Sequence, residues 1–404
     1  MDQPDDSKIL ITNAHLFGRF QDWYPGWLLT NGNKIHLIGA GLPPNFSEFQ
    51  ISQQIDAQGH FLLPGFIDLH AHGALGQESM DAEPEGIQKM ARFFAQHGVT
   101  SFLPTTWSGE SAAIIHALEI IKSMVGPISG GASILGAHLE GPYLNPTRCG
   151  AQDIHWIRLA EQAEAVRFLD LGVIRLLDLA PEFPENEWLI QECVHRNVTV
   201  SVGHSAATYQ QVKNAAALGV THSTHTFNAM SGLGHREPGT VGAVMALPEI
   251  ICELICDNTH VHPAVQKILI DVKTPAGVIL VTDCIRPTGM PEGTYALDNR
   301  SILFKDETAR LSDGTLAGST LTMEHALKNA MAASRRGLSE IWPMTSLNAA
   351  RNIGGSDQKG SLEVGKDADM VLLNSDLEVM MTLVEGKIVF HKQLLKPDRT
   401  EFFY

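Results

Sequence analysis

The two ends of the chain carry short apolar runs separated by turn residues. These runs occupy residues 9–11, 27–29, 35–38, 369–373, 380–384 and 387–390. Short apolar runs bounded by turn residues predict β-strands. Asn31 and Gly32 are typical of a tight hairpin, because both residue types tolerate positive φ. The pattern predicts one small β-sandwich assembled from both chain termini.

Between these ends the pattern changes to apolar runs that alternate with amphipathic stretches. The runs occupy residues 66–67, 134–137, 198–202 and 278–281, and apolar positions at helical spacing occupy residues 86–97 and 111–124. Such alternation predicts a parallel α/β fold, and the length favours a TIM-like (β/α)8 barrel, which needs about 250 residues. We therefore predict a barrel domain at 63–353 and a small sandwich domain formed by 1–62 and 354–404.

Composition and charge narrow the class of protein. With 44% hydrophobic and 18% charged residues the chain can bury a sizeable core. A net charge of −16 argues against nucleic acid or an anionic membrane as a partner. The longest apolar stretch, 241–256, is interrupted by Pro248, Glu249 and Glu253, so no membrane span is expected. The first six residues are acidic where an export signal is basic, which predicts a cytoplasmic protein.

The five cysteines form neither an even disulfide framework nor paired zinc-site spacings. Cys252 and Cys256 are separated by three residues, and no second pair follows. We expect buried free thiols in a reducing compartment.

Two of the strand-like runs end in residues that can bind metals. Residues two apart in a strand point the same way, so His70 and His72 can converge on one ion. A His-x-His pair alone is weak evidence for a site. Glu140 closes the run at 134–137, where a carboxylate can equally cap a helix or form a salt bridge.

Three further runs end in the same way. His204 and His225 follow runs rich in β-branched residues, and Asp283 follows the apolar run at 278–281. An Asp at that position is exposed only at a barrel mouth, although it also suits a helix or turn cap. His222 lies one helical turn before His225 and either packs in the core or lines the pocket.

Together these strand ends form the set that a metal-dependent hydrolase requires. A bound zinc ion lowers the pKa of water to about 7. Amide hydrolysis also needs a proton delivered to the departing nitrogen, and one carboxylate can take it from water and pass it on. Asp283 is the best candidate for this transfer. The pattern predicts a metal-activated water acting on a small amide.

Several motifs are more specific than this ligand pattern. They are His-Leu-Glu-Gly-Pro at 138–142, Phe-Asn-Ala-Met at 227–230, Arg-Glu-Pro-Gly at 236–239 and Leu-Ala-Gly-Ser at 316–319. Through them, and from the hairpin at 31–32 to Gly-Lys-Asp-Ala-Asp at 365–369, the chain resembles the N-acetylglucosamine-6-phosphate deacetylases, a family of the amidohydrolase superfamily. The resemblance implies hydrolysis of N-acetyl-D-glucosamine 6-phosphate to glucosamine 6-phosphate and acetate in amino-sugar metabolism. The stretch at 68–72 is shared widely in the superfamily and supports only the fold and the metal.

The resemblance also implies roles for the strand-end residues. Glu140, His204 and His225 match the principal metal site, whose ligand set suits zinc or ferrous iron. Asp283 matches the general base and acid. His70 and His72 permit a second ion, although some members of the family lack this pair and work with one metal.

Further residues match the substrate-binding positions of the family. They are Ala151, Gln152, Asn228, Ala229, Arg236, His260, Leu316, Ala317 and Gly318. Asn228 and Ala229 match contacts to the sugar phosphate made largely through backbone N–H groups, and Arg236 and His260 match the groups that hold the phosphate. A planar guanidinium suits two phosphate oxygens. In the family one phosphate contact can come from the neighbouring subunit, which implies a homodimer, and residues 316–318 match a loop that closes over the substrate.

Gln152 stands where some members of the family have a histidine that can polarise the acetyl carbonyl. Its amide can donate a hydrogen bond but cannot titrate, so we expect no acid–base role at this position.

Three rival functions remain open from the sequence. The nearest is the same reaction on N-acetylgalactosamine 6-phosphate, which differs at one sugar hydroxyl. A second is hydrolysis of a cyclic amide or deamination of a base, and relatives of that kind commonly carry a bridging lysine where this chain has Glu140. The third is a non-catalytic barrel, which would be expected to have lost metal ligands.

Overall fold

The computed structural model describes residues 7–46 and 49–392. Residues 1–6 and 393–404, which belong to the predicted terminal segments, lie outside the described residues. The strands in chain order are β1 (Ile9–Phe17), β2 (Asp22–Asn31), β3 (Lys34–Ala40), β4 (Gln53–Asp56), β5 (Phe61–Pro64), β6 (Phe66–Ala71), β7 (Gly73–Ala74), β8 (Gln77–Glu78), β9 (Val99–Thr106), β10 (Ser133–Ile134), β11 (Ala137–Leu139), β12 (Ile174–Leu179), β13 (Thr199–Val202), β14 (Val220–Ser223), β15 (Ile251–Ile255), β16 (Val278–Val281), β17 (Gly293–Leu297), β18 (Arg300–Lys305), β19 (Thr308–Arg310), β20 (Met370–Leu373), β21 (Val379–Val384) and β22 (Lys387–His391).

The α-helices follow the barrel strands in a regular order. They are α1 (Pro84–Gln96), α2 (Ser111–Ser123), α3 (Gln162–Asp170), α4 (Glu187–His195), α5 (Tyr209–Leu218), α6 (Gly239–Ala246), α7 (Pro263–Lys273), α8 (Met323–Ser334), α9 (Leu338–Ile341) and α10 (Leu347–Asn352). The helices α1 and α2 begin and end within three residues of the stretches predicted from apolar spacing.

Strands from both ends of the chain form one sheet. Its order is β22-β21-β20-β5-β1-β2-β3, and β4 also pairs with β1. The N-terminal and C-terminal parts join where β5 pairs antiparallel with β20, with Leu62 opposite Leu372. Side chains such as Ile11, Leu16 and Leu383 form a separate apolar core on this sheet. The small β-domain predicted from both termini is confirmed.

The remaining large sheet is a parallel barrel. Its eight strands are β6, β9, β11, β12, β13, β14, β15 and β16 in spatial order. The barrel closes between β6 and β16, where Asp283 N donates to His70 O at 2.8 Å and His72 N donates to Cys284 O at 2.9 Å. Helices α1 to α8 each follow one strand. The predicted (β/α)8 barrel is confirmed, and its carboxyl-terminal rim is where active sites of this fold are built.

Two details differ from or add to the sequence prediction. The turn between β2 and β3 is made by Gly32 and Asn33, one residue later than expected, because Asn31 pairs with Lys34. The three-stranded sheet of β17, β18 and β19 was not predicted. It lies between β16 and α8 in the chain, where a barrel loop is expected.

The cysteines agree in part with the expectation of buried free thiols. All five cysteines are free, and four are buried, while Cys149 is half-buried. Among the described helices, none combines the length and the apolar character that crossing a membrane requires.

Candidate metal centre and substrate cavity

The predicted ligands and the predicted general base converge at the carboxyl-terminal rim of the barrel. Glu140 directly follows β11, and His70 is the penultimate residue of β6. His204, His225 and Asp283 each lie two residues beyond the end of their strand. Parallel strands bring these ends to one edge, which is why residues far apart in sequence meet there.

Glu140, His204 and His225 form a compact set of donor atoms. The Nε2 atoms of His204 and His225 are 3.1 Å apart, and each is 3.1 Å from Glu140 Oε1. All three side chains are buried. Ligands about 2.0–2.1 Å from a tetrahedral zinc ion lie about 3.3 Å apart, so the spacing fits one metal ion. These residues are arranged to hold a divalent cation.

A second set of donors adjoins the first and shares Glu140. His70 Nε2 lies 3.1 Å from His72 Nε2, and His72 Nε2 lies 3.3 Å from Glu140 Oε2. Asp283 Oδ1 is 3.4 Å from the Nε2 atom of each of these histidines. The structure therefore brings the His-x-His pair to the same centre, where it could hold a metal with Glu140.

Hydrogen bonds behind the donors fix their orientation. Arg148 O accepts from His204 Nδ1 at 2.8 Å, which leaves Nε2 of His204 free to face the centre. Gln152 Nε2 donates to Glu140 Oε2 at 2.6 Å, while its Oε1 accepts from Ser108 N at 2.7 Å. Both ends of the Gln152 amide are thus engaged, and its contact is with a metal-ligand candidate.

Electrostatics at the centre favour ionised carboxylates and positive charge. Burial would raise the pKa of Glu140, but the charge of His70 and hydrogen bonds from His204 and His225 hold that pKa well below its usual range. Burial would lower the pKa of His72, but hydrogen bonds to Asp283 and Glu140 raise it to about 9. Burial also opposes ionisation of Asp283, whose pKa is nevertheless lowered by His70 and His72. A cation is therefore well matched to this site.

Backbone strain is concentrated at the same rim. The φ angles are 45° at His204, 26° at His225 and 50° at Asp283, a region that non-glycine residues rarely occupy. Such conformations cost about 1–3 kcal/mol each and persist where surrounding contacts impose them. The strain marks these strand ends as a functional site.

A cavity of about 200 Å³ opens onto the first set of donors. Its wall consists of Trp107, Glu140, Gly150, Ala151, His204, His225, Asn228, Ala229, His260, Asp283, Thr315, Leu316 and Gly318. Most of the substrate-binding residues expected from the sequence are among them. Gln152, Arg236 and Ala317 are not: Gln152 lies behind Glu140, Ala317 is buried in a small apolar cluster, and Arg236 is exposed to solvent.

His260 is held at the cavity wall by a neighbouring carboxylate. Asp257 Oδ2 lies 2.6 Å from His260 Nδ1, and Asp257 Oδ1 accepts from His260 N at 2.8 Å. The carboxylate can only accept, so Nδ1 carries the proton of that bond and Nε2 remains for another partner. Asp257 therefore fixes the orientation of His260.

Sequence reasoning missed two residues of the centre. Trp107 lines the cavity and stacks on His72 with ring centroids 3.8 Å apart. Glu253 is fully buried and contacts His70, His222 and the backbone of His225. The only sequence signal for Glu253 was a lone carboxylate inside an apolar run.

His222, which the sequence left open, lies in the barrel interior. Its Nε2 atom is 2.8 Å from Glu253 Oε1, and its side chain is fully buried. It is absent from the cavity wall.

The barrel, the buried His and Glu donors and the adjacent carboxylate define a metal-dependent hydrolase of C–N bonds. The model of the Amidohydrolase family matches residues 61–389, and the chain belongs to this family.

Within the family, the chain is similar to amino-sugar-phosphate deacetylases. It is 37% identical over 376 residues to the N-acetylglucosamine-6-phosphate deacetylase of Bacillus subtilis (strain 168), covering 90% of this chain and 93% of the relative. It is 36% identical to the N-acetylgalactosamine-6-phosphate deacetylase of Escherichia coli O157:H7, covering 82% and 89%. The resemblance inferred from the sequence motifs is confirmed.

Solved structures agree with this grouping. The N-acetyl-D-glucosamine-6-phosphate deacetylase of Mycobacterium smegmatis, solved as a mutant in complex with N-acetyl-D-glucosamine-6-phosphate, has a TM-score of 0.88 and 30% identity and covers 95% of this chain and 99% of that one. The Pasteurella multocida N-acetylglucosamine-6-phosphate deacetylase has the same TM-score and identity, with 94% and 99% covered.

Proposed function

We propose that the chain hydrolyses N-acetyl-D-glucosamine 6-phosphate to D-glucosamine 6-phosphate and acetate. The observation that carries this proposal is the Glu140, His204 and His225 donor set at the base of a cavity whose wall includes Asp283. Similarity to N-acetylglucosamine-6-phosphate deacetylases over most of the chain supports the choice of substrate.

The metal ligands and Asp283 have separate roles in the proposed reaction. A divalent cation held by Glu140, His204 and His225 supplies Lewis acidity, which activates water and polarises a carbonyl. Asp283 accepts the proton of the attacking water, because it is ionised and faces the cavity. It then returns that proton to the amine as the C–N bond breaks, so the leaving group departs neutral. Asp283 thus serves as base and then as acid.

We propose zinc as the cation, with ferrous iron as the alternative, since two imidazoles and a carboxylate suit both. The candidates for holding a second ion are His70 and His72, together with Glu140, which belongs to both donor sets.

The remaining cavity residues are proposed to bind the sugar phosphate. Asn228 and Ala229 lie on the wall, and Ala229 has a φ of 51°, so the backbone here departs from regular structure. His260 offers Nε2 for the phosphate while Asp257 holds Nδ1. Ala151 and the Leu316, Ala317 and Gly318 loop complete the enclosure. Gln152 acts on this site through Glu140.

Arg236 is proposed to contact the phosphate of a neighbouring subunit in a homodimer. Its exposed side chain outside the cavity of its own chain is compatible with that role. The acidic net charge of −16 gives no support to nucleic acid or an anionic membrane as a further partner.

The division of the chain into a barrel at 63–353 and a sandwich domain at 1–62 and 354–404 also remains a proposal. We propose a cytoplasmic location because five free thiols suit a reducing compartment.

The sharpest test of the reaction is Asp283→Asn. We expect kcat to fall by about 10²–10⁴, because the amide cannot accept the proton of water. Acetate release is measured together with metal content, so that loss of the cation is distinguished from loss of the base. Near-wild-type turnover by metal-loaded Asp283→Asn would refute the role of Asp283.

The galacto epimer is the competing substrate. An N-acetylgalactosamine-6-phosphate deacetylase is among the relatives at 36% identity. We expect kcat/KM to be larger for the gluco substrate, and a larger value for the galacto substrate would reassign the specificity. Glu140 at the position of the bridging lysine argues against cyclic-amide relatives, and retention of the ligands argues against a non-catalytic barrel.

A further inference from the structure

Glu253 lies beneath the metal centre, inside the barrel. It is the middle residue of β15, and its side chain has no solvent exposure. Its hydrogen-bond partners are His70 Nδ1 at 3.0 Å, His222 Nε2 at 2.8 Å and His225 N at 3.0 Å. Both oxygens of this buried carboxylate are therefore engaged as acceptors.

These contacts determine which nitrogen of His70 faces the centre. An ionised carboxylate only accepts hydrogen bonds, so His70 Nδ1 must carry the proton that it donates to Glu253. Nε2 lies 3.1 Å from His72 Nε2, 3.6 Å from Glu140 Oε1 and 3.4 Å from Asp283 Oδ1, so it is the nitrogen that offers a lone pair to a metal ion when the ring is neutral. Carboxylate partners commonly fix the tautomer of metal-ligating histidines in this way.

Glu253 Oε2, the oxygen that accepts from His70 Nδ1, also supports the first donor set through His225. Glu253 Oε2 accepts from the backbone of His225, and Glu253 O accepts from Thr226 N at 3.0 Å. His225 has the strained φ of 26°, and its buried Nδ1 has no hydrogen-bond partner among the described residues. In His204, by contrast, Nδ1 is held by Arg148 O. The position of His225 therefore depends on its backbone contact with Glu253.

We propose that Glu253 is a positioning residue for both donor sets. It sets the tautomer of His70 and holds the strained backbone of His225, so that Nε2 of each imidazole faces the centre. This inference rests on the proposed function only in assuming that a metal ion binds there.

The test compares variants of the full-length, metal-stripped protein titrated with Co²⁺. Glu253→Met keeps the length of the side chain and removes every acceptor. Glu253→Gln keeps one acceptor oxygen, enough for His70 and His225 if the amide group turns toward His222. Asp178→Leu is the matched control, because Asp178 is also a buried carboxylate bound to a barrel histidine, His138 Nε2 at 3.0 Å.

We expect Glu253→Met to weaken Co²⁺ binding by about 10–100-fold and to change its visible absorption spectrum. Glu253→Gln should recover most of that loss, and Asp178→Leu should bind Co²⁺ like the wild type. With saturating metal, Glu253→Met should lower kcat and leave KM nearly unchanged, because the sugar contacts are intact. Wild-type affinity and spectrum in Glu253→Met would overturn the proposal.

A second measurement needs no variant at Glu253, in case Glu253→Met fails to fold. In metal-loaded wild-type protein labelled with ¹⁵N-histidine, His70, assigned by its absence in His70→Asn, should carry its proton on Nδ1. A proton on Nε2 would overturn the proposal. Failure of the proposed function is distinct, since it would appear as metal-loaded wild type that releases no acetate.

Discussion

Second contacts hold four of the donor residues of the metal centre. A carbonyl holds His204, the Gln152 amide holds Glu140, and Glu253 supports His70 and His225. These supports come from the segment between β11 and α3 and from β15, so a change behind a donor alters the centre without removing a ligand.

Asp257 offers a test of the phosphate site. Asp257→Asn should raise KM for N-acetyl-D-glucosamine 6-phosphate by roughly 10-fold with little change in kcat, because a charge-assisted bond that orients His260 is weakened. The steady-state constants are measured beside those for the sugar without phosphate. If KM rises by the same factor for both substrates, His260 does not act on the phosphate.

Glu78 makes stability depend on pH. Burial raises its pKa from 4.5 to about 7, although Arg286 acts to lower it. Between these values the folded state keeps a proton that the unfolded chain has lost, so stability contributed by Glu78 is present below pH 4.5 and falls as pH rises toward 7.

Glu78→Gln removes this dependence. The stability of the variant relative to wild type should therefore increase by roughly 3 kcal/mol between pH 4.5 and 7.5, from about 1.36 kcal/mol per pKa unit. Urea unfolding across that range measures it. A difference between the two proteins that stays constant with pH would contradict the buried, protonated state.

Individual residues differ in how far the sequence predicts them. Glu140, His204, His225 and Asp283 were identifiable because each closes an apolar run, and strand ends of a barrel meet at one rim. Glu253 was not, because its role depends on which inward positions of separate strands meet.

Among the elements, the inserted sheet of β17, β18 and β19 leads into the cavity wall at Leu316 and Gly318. The local alternation of polar and apolar residues in this sheet was too short to separate it from a loop. The main strands and helices were predictable, since their apolar spacing extends over whole elements.

Gly318 tests whether this wall must lie close to the centre. It has a φ of 54°, and an added Cβ would lie 2.5 Å from Ile285 Cγ2 and 2.9 Å from Asp283 O. Gly318→Ala should lower kcat/KM at least 10-fold by displacing the loop and Asp283. Gly314→Ala is the control, because Gly314 has a φ of 89° with open space around its Cβ, so the substitution should cost about 1–2 kcal/mol of stability through backbone strain alone. Equal activities of the two variants would contradict the close approach.

On the scale of the whole molecule, the ends of five barrel strands, β6, β11, β13, β14 and β16, form one centre. A cation there binds the folded state and not the separated strand ends, so it should stabilise the entire barrel. The fold class was predictable from the alternation of elements, whereas the contact of β5 with β20 required the structure, because nothing local specifies which strands pair.

Removing the metal measures how much its binding stabilises the folded barrel. At a free metal concentration about 1,000 times the dissociation constant, binding contributes about 4 kcal/mol. Chelation should therefore lower Tm by about 5 °C, and zinc should restore it. Identical thermal unfolding with and without chelator would show that the centre does not bind metal strongly in the folded state.

The central claim is hydrolysis of an acetamide on a phosphorylated amino sugar. The most direct measurement is quantification of acetate and primary amine after zinc-loaded protein acts on N-acetyl-D-glucosamine 6-phosphate. We predict equal amounts of acetate and D-glucosamine 6-phosphate, formed catalytically. Metal-loaded, folded protein that releases neither product, or that releases phosphate instead, would contradict the proposed function.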